Sequence, residues 1–384
     1  MRHLRLHITY LVVALAIIAP VRAAADDADA VHGDDSSVVD TSDEEELPDD
    51  FEAGAMPTAV AVFPGLLLHG AGLYVAGDKK GAYALAAAEG IGLLGTTVGL
   101  LSVYGTGASR RIINPIYYGS LVSASALILS WFADIYGAST GGRSDQARRR
   151  LPPLEARAGY AYIHDPHFDY AHFGHARAAF RLEPIRFTPE AWIALDDDNQ
   201  RLRLESDARF YGPRAAPADA AADGTFVDLE TGLTYHNFGS EDFRYLVVEA
   251  GLGSRYDLRR ISPALRGSFT ELSLGIGTQM HGYGGEETQL GEDFSSLLLM
   301  RTAFGLYFDP PGTPYGELEL YYDHRHDDFA AGSSFNTTLD GVMGHGGLEG
   351  FYYPGRHWGL FADLQAGSAY LALAGFTFRY GGKR

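Results

Sequence analysis

The sequence predicts a mainly β protein, a 12-stranded antiparallel transmembrane β-barrel preceded by an α-helical hairpin. Three observations predict this fold. From residue 153 onward, apolar and polar residues alternate with a period of two. We count twelve such runs, an even number, and each has about ten residues, which suits a tilted crossing of a membrane. Aromatic residues concentrate at the ends of the runs, as they do at the two interfaces of a membrane barrel.

The first element along the chain is a predicted secretory signal peptide, residues 1–25. Arg2 and Arg5 precede an apolar run from Ile8 to Ala19, and small residues follow where cleavage would occur. The run is too short for the alternative, a first transmembrane anchor. Cysteine is absent from the sequence, which excludes disulfides, thiolate metal sites and a cysteine nucleophile. We therefore expect export to the cell envelope.

The second element is an acidic segment, residues 26–55. Its first 27 residues carry thirteen Asp or Glu and no Lys or Arg, a composition typical of disordered chain. We expect a disordered tether, with a tail that binds cations or a basic partner as the alternative. The whole chain has a formal net charge of −19 and offers no large basic face, so nucleic acid is not expected as a partner.

The third element is a predicted helical hairpin within residues 56–150. Two apolar stretches, 82–104 and 115–137, contain one charge each, Glu89 and Asp134. As helices they would reach about 35 Å, enough to cross a bilayer core. Both are rich in Gly, Ala and Ser, which let helices approach closely in lipid. The alternative is a buried pair of helices in a soluble domain.

The linker between the hairpin and the first strand is short. From Gly137 to Pro153 it can extend over at most about 55 Å, too little to connect two separate membranes. The hairpin must therefore lie in the membrane of the barrel or pack on its periplasmic mouth. The sequence leaves open whether the hairpin flanks, caps or plugs the barrel.

The fourth element is the predicted barrel, residues 151–384. The runs begin near residues 153, 170, 185, 200, 224, 243, 265, 295, 315, 340, 356 and 369. In the fourth run Leu202 and Leu204 share one face, and Arg203 and Glu205 share the other. The connections alternate between short turns with proline and long acidic loops, although the segment 212–224 is longer than this pattern predicts.

The polar face of the runs is predicted to line the lumen. Arginines concentrate in strands 1 to 4, and strands 5 to 12 are mainly acidic. Two interpretations remain open: opposite charges pair and close the interior, or they line a narrow wet channel with a transverse field. The predicted lumen-lining residues are Arg157, Arg177, Arg203, Arg209, Arg301, Glu205, Asp207, Asp228, Glu230, Glu249, Glu271, Glu317, Glu319, Asp323, Glu349 and Asp363.

Histidines cluster in the first external loop and around it. His172 and His175 are three residues apart on one strand, so they point to opposite faces and cannot bind one ion together. His164 and His167, which lie beside two aspartates, could bind a metal such as zinc. His324 and His326 form a similar group in the fifth loop. Solvated polar loops are the favoured interpretation of both groups, and we expect no metal and no cofactor.

Two segments resemble known families. The closing run YLALAGFTFRY places Tyr370, Phe376, Phe378 and Tyr380 on one face. It resembles the C-terminal aromatic signature of bacterial outer-membrane barrel proteins, although four further residues follow it. This resemblance implies the outer membrane of a Gram-negative bacterium, with membrane lipid and the barrel insertion machinery as partners. Residues 63–85, FPGLLLHGAGLYVAGDKKGAYAL, resemble small bacterial two-transmembrane-helix domains, which implies a membrane-seated hairpin.

These observations favour a role other than catalysis. We expect a narrow passive channel for small polar solutes, or a structural component of the envelope, with a charged lumen. The alternative is a surface barrel hydrolase that acts on lipid or peptide through His and Asp residues of its external loops. The spacing of Asp165 and His167 matches an Asp-x-His pair of the kind used by omptin-like proteases.

Overall fold

The computed structural model describes residues 47–106, 113–142, 151–165, 171–213, 224–239, 243–283, 294–308, 315–325, 327–330 and 344–381. The predicted signal peptide and most of the predicted acidic tether lie outside these residues. The last part of the tether packs on the helices, because Leu47 and Phe51 contact an apolar cluster there. The first helix of the described part of the chain begins at Ala55.

The predicted barrel fold is confirmed. Twelve antiparallel strands pair in chain order, and β1 pairs with β12 to close the sheet. All the strands begin within five residues of the predicted positions. The strands are β1 Leu154–His164, β2 His172–Leu182, β3 Ile185–Ala194, β4 Gln200–Tyr211, β5 Phe226–Asn237, β6 Phe243–Asp257, β7 Ser268–Tyr283, β8 Phe294–Phe308, β9 Tyr315–Asp323, β10 His345–Tyr353, β11 Trp358–Ala366 and β12 Tyr370–Tyr380.

The barrel has two rims. We call the terminal rim the end where β1 begins and β12 ends, with Leu154 paired to Tyr380. The other end, where β1 and β9 end, is the opposite rim. The longest connection, residues 324–344, leaves from the opposite rim. The expected asymmetry of loops is present only in part, because residues 212–225 and 258–267 are long connections at the terminal rim.

The two faces of the sheet differ as the alternation predicts. On β4, Leu202 and Leu204 are 45% and 46% exposed, whereas Asp207 and Arg209 are 7% exposed. The apolar face is therefore outside, and the charged face is shielded. Most aromatic residues expected at the strand ends are exposed, among them Tyr160, Phe180, Tyr211, Tyr352 and Tyr380.

Tyr307 is an exception to this pattern. It was expected among the exposed aromatic residues, but it is buried and shares the face of Arg301 on β8. Its ring packs against that of Phe269 with centroids 4.5 Å apart. The reason is its phase in the strand, which places Tyr307 six residues from Arg301 and therefore on the same side.

Within the described residues four helices precede the barrel, α1 Ala55–Val62, α2 Ala71–Ala76, α3 Lys79–Thr106 and α4 Ile113–Thr140. The last two form the predicted hairpin. The short helix α2 lies between Gly70 and Gly77, which both adopt left-handed backbone angles (φ 85° and 104°) that favour glycine. Its first amides are capped by Asp134 of α4, which accepts hydrogen bonds from Gly72 N (3.1 Å) and Leu73 N (2.9 Å).

The helical unit is joined to the barrel by an apolar cluster at the terminal rim. The cluster brings together residues of the helices, of the β6–β7 connection and of β8: Leu73, Ala82, Leu85, Ala133, Leu258, Ala264, Leu265 and Phe304. A hydrogen bond between the side chains of Ser262 and Asp78 reinforces this contact. The helices and the barrel therefore pack as one structure at this rim.

Candidate functional site

The charged residues predicted for the lumen contact one another across strands that are not neighbours. Arg157 of β1 donates to Glu349 of β10 (2.7 Å), although β11 and β12 lie between. Arg203 of β4 reaches Glu249 of β6 over β5 (2.5 Å). Side chains of a closed sheet can meet over an intervening strand on its concave side. This geometry supports an interior position for the charged face.

One cluster of ion pairs joins β6, β7, β8 and β9 around two arginines. Arg255 donates to Glu271 (2.6 Å), Glu317 (3.0 Å) and Glu319 (3.0 Å). Arg301 donates to Glu271 (2.7 Å) and Glu319 (3.0 Å). Each guanidinium contacts at least two carboxylates, as its fork of N–H donors allows. The cluster is therefore a connected network rather than a set of separate pairs.

A second cluster joins β2, β4 and β6. Arg203 contacts Glu205 (3.0 Å) as well as Glu249, and Arg177 donates to Glu205 (2.9 Å). Glu249 also accepts from Arg325, which belongs to the β9–β10 connection. This second network therefore ties the strand wall to a loop.

Further predicted residues form local pairs nearer the terminal rim. Arg209 binds both oxygens of Asp228 (2.8 Å each), in the bidentate geometry that arginine and carboxylate favour. Asp207 accepts from Arg186 (2.7 Å). Opposite charges are thus paired here across adjacent strands.

The last three predicted residues are carboxylates with neutral donors. Glu230 accepts from the hydroxyl of Ser273 (2.5 Å), and Asp323 accepts from the backbone amide of Arg325 (2.8 Å). Asp363 accepts from the hydroxyl of Tyr321 (3.0 Å) and from the amide of Gln365 (2.7 Å). Each of the predicted lumen-lining residues therefore has a hydrogen-bond or ion-pair partner.

Opposite charges are mixed more closely than the sequence suggests, where arginines concentrate in strands 1 to 4 and carboxylates in strands 5 to 12. Arg255 and Arg301 lie among the carboxylates of β7 and β9, so the acidic side of the barrel has its own positive charges. Arg255 was missed by the sequence reasoning, although its spacing from Glu249 on β6 gives both residues the same phase. Arg201 and Arg325 were also missed. Arg325 lies in a loop, where alternation carries no information.

An apolar layer adjoins the ionic networks toward the opposite rim. Its members share the phase of the charged residues, as Ile163 does with Arg157 on β1 and Phe173 does with Arg177 on β2. The buried cluster comprises Ala161, Ile163, Phe173, Trp192, Ala194, Phe329, Phe361, Leu371 and Leu373. The sequence reasoning missed this layer, because at the ends of these strands both faces are apolar and alternation does not distinguish them.

The β9–β10 connection contributes to this layer. We call its described residues, His324, Arg325 and 327–330, the inserted loop. Phe329 is buried, and its ring packs on those of Phe173 (4.9 Å), Trp192 (5.4 Å) and His236 (5.1 Å). These partners lie on β2, β3 and β5, whereas the loop leaves from β9. The loop therefore crosses the opening of the barrel at the opposite rim.

Polar contacts fix the inserted loop in place. Asp328 accepts from Arg201 (2.6 Å), and the hydroxyl of Tyr245 donates to the carbonyl oxygen of Asp327 (2.6 Å). Burial raises the pKa of the Asp328 carboxyl, but the positive charge of Arg201, with a further contribution from Arg325, more than offsets it. The pKa of Asp328 consequently lies below its ordinary value, which keeps the carboxylate charged.

The histidines of β2 point to opposite faces, as predicted. His172 is exposed and lies 2.5 Å from the hydroxyl of Tyr160, whereas His175 is buried and lies 2.9 Å from Glu190. His164 is exposed at the end of β1. His167, the other candidate of the first external loop, lies outside the described residues.

The second histidine group is only partly described. His324 is buried between the ring of Tyr117 (centroids 5.5 Å apart) and the hydroxyl of Tyr322 (2.9 Å). His326 lies outside the described residues. Within the part of the chain that the structure describes, no group of three or more His, Cys, Asp or Glu residues is arranged to hold a metal ion.

No family model and no curated protein matches this chain. Among solved structures it is similar to the KdgM porin in complex with disordered oligogalacturonate (8% identity, TM-score 0.33), over 59% of this chain and 99% of that one. It is similar to the NanC porin (9%, TM-score 0.34) over 59% and 100% of the chains. It is also similar to the translocator domain of the autotransporter NalP from Neisseria meningitidis (11%, TM-score 0.32) over 64% and 93%. These likenesses concern the barrel fold alone.

Proposed function

We propose that this protein is an outer-membrane β-barrel of a Gram-negative bacterium and forms a narrow passive channel for small polar solutes. A closed sheet satisfies all its backbone hydrogen bonds internally, as a membrane requires. Large apolar side chains cover its exposed face, for example Leu360 and Leu364. The exposed aromatic residues of β12, such as Tyr370 and Phe376, support recognition by the barrel insertion machinery.

The observation that carries the channel proposal is the ionic network on the charged face. Ion pairs connect β1 with β10, β2 with β4, β4 with β6, and β6 with β9. Burying so many charges in a dry interior costs several kcal/mol of desolvation per ion. A hydrated passage lowers that cost, and rings of charged side chains are a common lining of selective pores. We therefore assign the network to the wall of a wet, narrow path.

The balance of charge sets the expected selectivity. On the charged face carboxylates outnumber guanidiniums, since Arg255 and Arg301 together face Glu271, Glu317, Glu319 and Glu349. Excess negative charge attracts cations and repels anions in a narrow pore. The channel should therefore prefer small cations. The inserted loop narrows the path at the opposite rim.

Planar-bilayer recording with the purified full-length protein tests the proposal. We expect discrete conductance steps, with a reversal potential in a KCl gradient that shows cation preference. The double variant Glu317→Gln, Glu319→Gln should reduce this preference. Asp49→Asn, an exposed residue before the first helix, is the matched control and should leave it unchanged.

The inserted loop provides a second arm of the same experiment. Phe329→Ala removes the ring that packs on Phe173 and Trp192, so the unitary conductance should rise. If the parent protein and this variant are both silent, while both insert as barrels, the channel proposal is overturned. The structural role in the envelope and the surface hydrolase would then be the remaining interpretations.

A further inference from the structure

Helix α4 runs along the barrel wall from the level at which β9 ends to the terminal rim. Near its start, the ring of Tyr117 packs on His324, just beyond the end of β9 at the opposite rim. Near its end, the hydroxyl of Tyr136 donates to the carbonyl oxygen of Arg266 (2.7 Å), just before β7 at the terminal rim. The twenty residues from position 117 to 136 form a helical segment of about 29 Å, close to the thickness of a bilayer core.

The surface that α4 contacts is the apolar, outward face of the sheet. Met300, Thr302 and Phe304 of β8 are out of phase with Arg301 and would be exposed on a bare barrel, yet all three are buried. The rings of Phe132 and Phe304 lie 5.9 Å apart. Away from the helix, outward-facing side chains such as Leu364 are exposed to the surroundings of the barrel. The hairpin therefore flanks the barrel, and it does not occupy the lumen.

The middle of the strands is also in contact with the helix. The hydroxyl of Tyr118 lies 3.0 Å from the carbonyl oxygen of Gly275 in β7 and 2.9 Å from that of Leu299 in β8. Both residues are several positions from the strand ends. Tyr117 and Tyr118 therefore contact the barrel at one level, where the end of β9 lies beside the middle of β8, and Tyr136 contacts it at the terminal rim. The helix between these contacts lies alongside the strands.

Helix α3 packs on α4 through small residues. A Cβ atom at Gly92 would lie 2.8 Å from the backbone oxygen of Ser123, and one at Gly99 would overlap the hydroxyl oxygen of Ser120. The hydroxyls of Ser120 and Ser123 donate back to their own helix (2.8 and 2.7 Å). Close approach at glycine and serine is the usual way in which helices associate in lipid.

The outer face of α3 is apolar and exposed. Its only charges are Lys79 and Lys80 at the terminal-rim end and Glu89, which accepts a hydrogen bond from the amide of His69 (3.0 Å). From residue 90 to 104 the helix has no charged residue. The exposed apolar side chains of this stretch are Ile91, Leu93, Leu94, Val98, Leu100, Leu101 and Tyr104. A patch of this kind marks a membrane or protein contact.

We propose that lipid acyl chains cover this face, so that α3 and α4 form a transmembrane hairpin in the same bilayer as the barrel. The exposed apolar face of α3 lies beside the apolar outer wall of the barrel. Both helices are long and apolar enough to cross a membrane. The hairpin then turns on the side of the opposite rim. The inference rests on the proposed membrane location of the barrel and does not depend on conduction.

The absence of cysteine makes the test direct, because single-cysteine variants of the full chain need no background changes. We compare Leu94→Cys on α3 with Leu364→Cys on the barrel wall, which are 66% and 52% exposed, and with Asp49→Cys before the first helix. Each variant is labelled with bimane and reconstituted in phosphatidylcholine vesicles. Quenching is measured with a lipid that carries a nitroxide on its acyl chain, and separately with aqueous iodide.

We expect the label at Leu94 to behave like the label at Leu364, with strong quenching by the nitroxide lipid and little by iodide. The label at Asp49 should show the reverse. If the label at Leu94 follows Asp49 while the label at Leu364 stays in lipid, the hairpin is not in the bilayer and the inference is overturned. If aqueous iodide also quenches the label at Leu364 strongly, the proposed membrane location of the barrel is contradicted as well. Loss of conductance alone contradicts only the channel proposal.

Discussion

At the scale of single residues, Arg255 is a central charge of the ionic network on the charged face. Its guanidinium contacts Glu271, Glu317 and Glu319 and lies 3.8 Å from the centroid of the Phe269 ring. These partners belong to β7 and β9, so one side chain of β6 ties together strands on both sides of β8. Arg255 makes these contacts because the closed sheet brings β7 and β9 close to it, and its neighbours in the sequence do not indicate them.

Replacement of Arg255 should be costly for the stability of the barrel. Arg255→Leu removes the positive charge that three carboxylates share, and breaking a buried pair from one side destabilises proteins by about 3–5 kcal/mol. We expect a loss of this order in the free energy of unfolding, measured by urea titration of the protein in detergent micelles with tryptophan fluorescence as the signal.

A matched control is available at the terminal rim. Arg356 is exposed in the turn between β10 and β11, and Arg356→Leu should change the free energy of unfolding by less than about 0.5 kcal/mol. Equal losses in the two variants would contradict the central role that we give to Arg255.

At the scale of elements, the helical hairpin depends on glycines that face the partner helix. Gly92 lies against the backbone of Ser123, and backbone atoms cannot move aside as a flexible side chain can. A Cβ atom added at Gly90, two positions earlier on the same helix, would meet nothing within 4 Å beyond its own helix. A comparison of substitutions at Gly92 and Gly90 therefore distinguishes the effect of close helix packing from the effect of replacing any glycine in a helix.

This difference gives a prediction for the hairpin. Gly92→Leu should force the helices apart at a cost of about 1–3 kcal/mol, as overpacking does elsewhere. The thermal transition of the helical circular-dichroism signal at 222 nm, in detergent, should shift to lower temperature. Gly90→Leu should leave this transition in place or raise it, because leucine favours helix over glycine. A lower transition in both variants would show that the seam at Gly92 does not hold the hairpin.

Local sequence patterns predicted some elements of the fold and missed others. Long apolar stretches predicted both long helices, and alternation predicted all twelve strands, because each pattern is complete within one element. The inserted loop could not be predicted in this way. Phe329 lies in a connection, and its partners Phe173, Trp192 and His236 are more than ninety residues away in the sequence.

At the scale of the whole molecule, closure is the dominant feature. The pairing of β1 with β12 runs from Leu154 opposite Tyr380 to His164 opposite Tyr370, so the sheet has no free edge. A closed sheet resists fraying, because each strand, including β1 and β12, is hydrogen-bonded to a neighbour on both sides.

Closure predicts heat-modifiable migration on a gel. In sodium dodecyl sulfate without heating, the folded barrel should stay compact and migrate faster than the same protein after boiling, which unfolds it. Membrane fractionation should place the compact form with the outer membrane. Identical migration before and after boiling, in protein extracted from membranes, would contradict a closed barrel.

By itself, the sequence determined the elements and the faces of this protein. The alternation in runs such as 200–211 assigns Leu202 and Leu204 to one side and Arg203 and Glu205 to the other, and each assignment needs only a few adjacent residues. The tertiary structure alone decided which charges pair, that an apolar layer and a loop cross the opening, and that the hairpin lies against the outer wall. Contacts such as Arg201 with Asp328 and Tyr118 with Gly275 join positions 127 and 157 residues apart. The first contact exists because the closed sheet brings distant segments together, and the second because the hairpin packs on the outer wall. No local pattern carries that information.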